Sequence, residues 1–347
     1  MNKTTTHKPS LSGRTTLRVK GPKLGLQGKA WCLVLVGICM MGQKVWAFED
    51  LDYGNYGAEY LKLPRHAHNA GLGTATTAWS ENLAGFQYNP SLLASNTGHY
   101  FLGSHSSMTL DRNTVGMAYH SGPLYRGFHL AFEAGGMGIK GFEGRDQNGA
   151  RTENFDEQEG YLEISTAKSV KGLLDYGLRL RYLYQQFGDW KEARGDGFGL
   201  DLGLTYSLNK RLTVGASLLS LGSVLHWQTG RTDPVAPQFR SGVHYTVMPT
   251  LLDLEVNILK PWAQPLETLI GIQYTFMKII SLRGGLQNAF LWDEKGFQDN
   301  EWEHYLGIGV RASYFGVDYS FAKPGSVFGA SHKVSVLLSY PLPFVDY

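Results

Sequence analysis

Every second residue from Phe198 to Leu208 is apolar: Phe198, Leu200, Leu202, Leu204, Tyr206 and Leu208. Small or polar residues (Gly197, Gly199, Asp201, Gly203, Thr205, Ser207) fill the gaps. A period of two places one set on each face of a strand. The same rhythm recurs in Tyr176/Leu178/Leu180/Tyr182/Tyr184, Leu252/Leu254/Val256/Ile258, Ile270/Ile272/Tyr274/Phe276 and Val334/Val336/Leu338/Tyr340. About fourteen such segments lie between Gly98 and Tyr340, each close to the ~9–11 residues that a tilted transmembrane strand needs.

The connections sharpen this reading. Short breaks are expected at Gly122–Leu124, Lys171–Leu173, Leu208–Arg211, Met248–Pro249, Met277–Lys278 and Arg311–Ala312. Longer ones are expected at Ser107–Asp111, Gly136–Gln158, Phe187–Asp196, Ser223–Pro237, Leu259–Glu267, Ala289–Glu301 and Phe321–Ser331. Long and short alternate, as in a membrane barrel with tight turns at one end and loops at the other. The expected fold is all-β: a 14-stranded antiparallel transmembrane β-barrel over residues 96–340.

The ends are read separately. Ala30–Met41 is apolar but too short for a membrane helix, follows Lys20, Lys23 and Lys29, and precedes the small-residue site Val45-Trp46-Ala47. Residues 1–47 therefore read as a signal peptide. Cys32 and Cys39 both lie within it, leaving no disulfide or thiolate chemistry downstream. Eight of the 32 Lys and Arg precede Phe48, so the remainder holds 24 bases against 30 acids, a net of −6. No basic stripe suggests nucleic acid. The last strand, His332–Tyr340, ends on an aromatic, the form of an outer-membrane assembly signal, and Pro341 and Pro343 in the tail 341–347 forbid further pairing.

Residues 48–95 do not alternate. They are dominated by small residues, with Gly71 and Gly73 close together and a proline turn at Asn89-Pro90. Such tight backbone suits a confined space, so the segment is expected to be a lumenal plug with short helical pieces, one starting near Pro90.

Gly71-Leu72-Gly73, the small-residue stretch through Trp79, Glu81-Asn82 and Tyr88-Asn89-Pro90-Ser91-Leu92-Leu93-Ala94 together resemble the N-terminal signature of the PorV/PorQ family, shared across the FadL-like superfamily of outer-membrane barrels. Asp201–Tyr206, Arg211–Gly215, Ser220–Gly222, Arg240–Tyr245 and Ser281–Gly285 resemble its later strands in order. Departures are Ser91 for the usual Ala, Thr74 where glycine is common, and Glu81-Asn82 for an acidic pair. The resemblance implies a fourteen-stranded barrel with its N-terminus inside, and a plug motif of Gly71, Gly73, Trp79, Asn89 and Pro90. PorV-like members receive exported proteins in type IX secretion and pass them to attachment proteins. FadL-like members pass long-chain fatty acids and other apolar compounds.

Arg179, Arg181, Asp201, Glu255, Arg283 and Asp318 alternate with apolar neighbours. A charge facing lipid costs about 2–4 kcal/mol at the midplane, so these six are expected to face the lumen. They would line a polar channel or, on the plainer reading, fill the bore as paired charges. Tyr100, Tyr119, Trp190, Trp227, Trp262, Trp292, Trp302 and Tyr314 near strand ends suit interfacial girdles. His66 and His68 lack a third ligand and read as a solvated part of the plug, so no metal or cofactor is expected. No organised Ser/His/Asp set points to an enzyme. The leading expectation is an outer-membrane barrel binding type IX secretion cargo or attachment proteins, with aromatic and acidic loops over 136–158 and 289–301 as the docking surface. The alternative is a transporter of fatty acids or other apolar ligands.

Overall fold

The structure is a computed structural model that describes residues 56–262, 264–293, 296–299, 302–323 and 330–340. The expected signal peptide, the start of the expected plug at 48–55 and the tail at 341–347 lie outside the described residues.

The strands are β1 (His99–Met108), β2 (Arg112–His120), β3 (Phe128–Phe142), β4 (Phe155–Val170), β5 (Leu174–Phe187), β6 (Arg194–Asn209), β7 (Leu212–Trp227), β8 (Thr232–Pro234), β9 (Gln238–Met248), β10 (Leu252–Pro261), β11 (Leu266–Phe276), β12 (Ile280–Asp293), β13 (Gly296–Asp299), β14 (Glu303–Ala312), β15 (Phe315–Lys323) and β16 (Ser331–Tyr340). Two are appendages: β8 folds back on β7 and β13 on β12. The other fourteen form one antiparallel ring, closed where β1 pairs β16 from His99↔Tyr340 to Met108↔Ser331. Closure leaves no unpaired edge.

Burial alternates with the sequence period but is inverted relative to a soluble protein. On β5, Leu178 and Leu180 are exposed while Arg179 and Arg181 between them are buried. Phe101, Met117, Phe132, Leu162, Phe198 and Leu306 likewise point outward. The barrel thus carries an apolar outer belt and a polar inner face, as lipid outside and a filled bore inside require. Tyr119, Trp190 and Tyr314 sit on the outside, whereas Tyr100 lies on the inner side at one mouth.

The strict alternation of connection lengths fails at the first hairpin. The β1–β2 connection, expected to be long, is only residues 109–111, because Leu110 and Asp111 both adopt left-handed φ (62° and 51°) and close a tight turn. The β2–β3 connection, expected to be short, runs over 121–127 and is closed by Leu124 N–H donating to the Phe128 carbonyl at 2.7 Å. The expected long break at 136–158 is also shorter. Gly136 and Gly138 pair with Gly160 and Gln158, extending β3 and β4 into what reads as loop. Below, "loop end" denotes the end bearing the β3–β4, β5–β6 and β7–β9 connections, and "turn end" the other.

Residues 56–96 pack against the inner faces of the strands. They contain one short helix, α1 (Ala67–Gly71), and 3-10 turns at Glu59–Lys62, Gly85–Gln87 and Pro90–Ser95. The segment begins at the loop end, where Gly57 N–H donates to the Pro234 carbonyl at 2.9 Å. It leaves at the turn end, where Asn96 Nδ2 lies 3.1 Å from His120 Nδ1.

Candidate functional site in the bore

Six glycines of the ring, Gly177, Gly203, Gly215, Gly271, Gly285 and Gly307, leave room for this segment. A methyl on Gly71 would stand 2.9 Å from the Gly307 Cα, and one on Gly285 would run into the Gly73 backbone. A methyl on Gly177 would lie 2.5 Å from the Ser91 nitrogen. Side chains at these places would push the chain out of the bore. Gly73 (φ 57°) and Thr74 (φ 62°) turn the backbone through the left-handed region, which glycine adopts freely and in which Thr74 is strained.

Asn89 joins segment to wall. Its side chain accepts from Ser91 N–H (3.1 Å) as the N-cap of the Pro90–Ser95 turn, with Pro90 at the first turn position. The same amide donates to the Thr77 carbonyl (2.8 Å) and to the Leu204 carbonyl of β6 (3.1 Å). Trp79 is buried, stacked on His244 with centroids 4.7 Å apart, and its ring edge meets His68.

The six charges singled out from alternation are all buried. Three join one network across β3–β6. Arg65, from the segment, donates to Glu133 (3.0 Å) and forks onto both oxygens of Glu163 (2.6 and 2.8 Å). Arg181 bridges Glu163 and Asp201, and Arg179 donates to Asp201 (3.0 Å) and to the Gln87 carbonyl (2.9 Å). Three guanidiniums thus face three carboxylates, so the buried charges compensate one another. Tyr161 completes the cluster, donating to Glu133 at 3.0 Å while its ring lies 4.0 Å from the Arg65 guanidinium carbon. Burial alone would push Arg65 down, but Glu133 and Glu163 hold it well above its ordinary value.

Arg283 and Asp318 form a separate pair on β12 and β15, at 2.6 Å, with Arg311 at 3.5 Å from the same carboxylate. Glu255 stands apart. It lies in no ion pair among the described residues and instead accepts from Ala78 N–H (2.7 Å) and Asn257 (2.8 Å). The sequence reading passes over Arg65, Glu133, Glu163 and Arg240, the last of which donates to the Thr74 carbonyl at 2.7 Å. Glu133, between Phe132 and Ala134, and Glu163, between Leu162 and Ile164, obey the rule that identified the six, so the signal was present. Arg65 sits in the non-periodic segment and carries no such mark.

His66 and His68 are buried, not solvated as expected. His66 Nε2 lies 3.6 Å from Glu133, and burial pushes the His68 imidazole well below its ordinary range, with Arg283 and Arg311 acting in the same sense. No group of three or more candidate metal ligands occurs among the described residues.

The bore has two chemically distinct ends. At the loop end an apolar cluster of Ala58, Tyr60, Tyr161, Leu183, Leu225 and Val235 lies above the ion network. Beside it β7 breaks its register with β6: three residues of β7 span two of β6 between Phe198↔Val224 and Leu200↔Leu221, and again to Leu202↔Leu218. Ser220 and Gly222 there adopt φ of 58° and 59°, and Ser220 N–H turns inward to Asp201 at 2.7 Å. The β7–β9 ladder ends just below, at Leu219↔Gln238, and pairing on that side resumes at Ser223, whose carbonyl accepts from Val235 N–H at 3.0 Å, which leaves residues 220–222 as the stretch of β7 without ladder partners there. At the turn end a cavity of about 550 Å³ opens between Leu83, Tyr100, Arg311, Phe315, Leu337 and Ser339.

Comparison with known proteins agrees with the fold. A family of unknown function, DUF5723, matches residues 137–241. No curated protein sequence matches. The Pseudomonas putida toluene transporter TodX superposes with a TM-score of 0.59 at 13% identity, covering 80% of this chain and 98% of its own. The Ralstonia pickettii toluene transporter TbuX gives 0.55 at 13% identity, covering 81% and 100%. A FadL homologue from Pseudomonas aeruginosa gives 0.52 at 9% identity, covering 80% and 98%.

Proposed function

We propose that this chain is a non-enzymatic outer-membrane barrel that passes small apolar molecules, with residues 56–96 acting as the plug. The observation that carries the reading is the apolar cluster at the loop end, set directly beside the interrupted stretch of β7. These side chains pack on one another, and an apolar guest would take the place of the segment's Ala58 and Tyr60 among them. The ion network below it opposes straight passage, because an apolar molecule there would separate buried charges from their partners. The guest therefore leaves sideways, past Ser220–Gly222, into the belt where Phe198 is 72% exposed. Support also comes from the shared fold, since two of the barrels it resembles are toluene transporters. The exposed apolar belt favours a location in lipid, and the expected signal peptide would deliver the chain to the outer membrane.

The test is a cross-link that holds β6 to β7. A side-chain carbon at Gly199 would lie 3.2 Å from the Ser223 Cβ, close to the roughly 3.8 Å that a disulfide spans. Cells carrying Gly199→Cys/Ser223→Cys should take up labelled toluene when reduced and lose uptake when oxidised. Equal uptake in both states would sink the lateral route. Absence of any uptake above a deletion strain would sink transport itself.

Binding of secretion cargo is the second reading. It draws on the rim aromatics Phe142, Phe155 and Trp190, which contact one another at centroid distances of 5.3 Å. Co-purification without any exported protein or attachment partner would count against it.

A further inference from the structure

The outer wall and the turn end carry two further features, the first of which extends to Phe198 beside the proposed lateral exit. The first is a concavity of about 770 Å³ in the outer wall across β1–β6, bounded by Phe101, Met117, Phe132, Leu162, Ile164 and Leu180 and floored in part by Ala134. The second is charge. The three turns β2–β3, β4–β5 and β6–β7 with their flanking strand ends carry Arg126, Lys168, Lys171, Lys210 and Arg211. Near the turn end Asp175 and Asp253 are buried toward the bore and the exposed Glu81 belongs to the segment in the mouth, so among the described residues no acid forms a salt bridge with these cations on the outer face.

Strand β4 joins the two features. Leu162, Ile164, Thr166 and Lys168 share its outward face, so Lys168 stands four residues from Ile164, about 13 Å along the strand at ~3.3 Å per residue. The Lys168 ammonium lies 4.6 Å from the Phe128 ring centroid and the Arg126 guanidinium carbon 5.2 Å from that of Tyr125, each a cation set over an interfacial aromatic. An apolar trough ending in unpaired cations fits one kind of molecule: an amphiphile with long chains and an anionic head.

We infer that this face binds an anionic phospholipid of the leaflet at the turn end, its acyl chain in the trough and its phosphate at Arg126, Lys168 and Lys171. The inference rests on the reading that the barrel spans a bilayer. Basic side chains near a membrane surface attract anionic headgroups, and each adds to the preference.

Native mass spectrometry of the full protein, released from nanodiscs of equimolar phosphatidylglycerol and phosphatidylcholine with matched chains, reads the preference directly. Phosphatidylglycerol should be retained about fivefold or more over phosphatidylcholine. Arg126→Gln/Lys168→Gln/Lys171→Gln should bring the ratio close to one, with the heat-modifiable gel shift of a folded barrel unchanged. Ala134→Leu should lower retention of both lipids and leave their ratio alone. Equal retention by the unaltered protein, or a preference that survives the triple substitution, would overturn the headgroup site, and retention indifferent to Ala134→Leu would overturn the chain seat. Neither result touches the spanning reading. That reading fails separately, taking this inference with it, if alkaline carbonate strips the protein from membranes.

Discussion

The segment inside the bore is held on opposite walls by different physics. Against β3–β6 charge is added to the close packing of Pro90 and Ser91 on Gly177: Arg65 reaches Glu133 and Glu163, and Arg179 donates to the carbonyl of Gln87. Against β12 and β14 it is held by shape: Gly71 and Gly73 lie backbone to backbone on Gly307 and Gly285. Charge contacts are strong only while every partner is present, since a lone buried charge is costly. Shape contacts tolerate no added atom but depend on no partner's ionisation. The comparison identifies the β3–β6 wall as the side from which the segment can be freed by chemistry, and the β12–β14 wall as its fixed seat.

The largest effect is expected from Arg65→Met. It leaves Glu133 and Glu163 short of a cation and should cost about 3–5 kcal/mol in denaturant unfolding, with proteolysis of residues near 59–65 appearing before cleavage elsewhere. Gly285→Val comes next, at about 1–3 kcal/mol or more, because the added carbons meet Gly73 backbone that cannot yield. Here proteolysis should begin nearer α1. Asn89→Ala removes the cap and the bond to β6, and should cost about 1–2 kcal/mol. Combining Arg65→Met with Gly285→Val should be additive within about 0.5 kcal/mol if the two walls act independently. Smallest of all is the effect of salt: raised ionic strength should leave the Arg65 contacts nearly unchanged, because buried pairs are poorly screened. Salt-induced exposure of the segment would show that the network is open to water and would blur the distinction between the walls.

The walls also differ in how far they could be read from sequence. Strands such as β5 and β6 declare themselves, because inside and outside demand opposite chemistry at successive residues: Leu178, Arg179, Leu180, Arg181. The inward position of the six charges follows from the same rule. Their partners do not, since pairing across strands depends on register: Glu163 sits opposite Arg181 and Arg179 opposite Asp201 only once β4, β5 and β6 are aligned. Connection lengths mislead wherever a strand continues through glycines, as at Gly135, Gly136 and Gly138 on β3, whose lack of side chains hides the period. The segment's glycines announce close packing, yet nothing in the sequence says that Gly71 meets Gly307 rather than another inward glycine. The histidine pair differs from expectation for a related reason: His66 and His68 read as solvated because the wall that buries them is remote in sequence.

The account stands on residues 56–96 occupying the bore. Ala67 N–H donates to Ser335 Oγ of β16 at 2.8 Å, which places two distant parts of the chain in contact. With Cys32 and Cys39 replaced by serine, Ala67→Cys/Ser335→Cys should form an internal disulfide in the folded protein, visible as an altered gel mobility that reductant reverses. Two free thiols that both react fully with a bulky water-soluble maleimide, in protein that still shows the gel shift of a folded barrel, would contradict it.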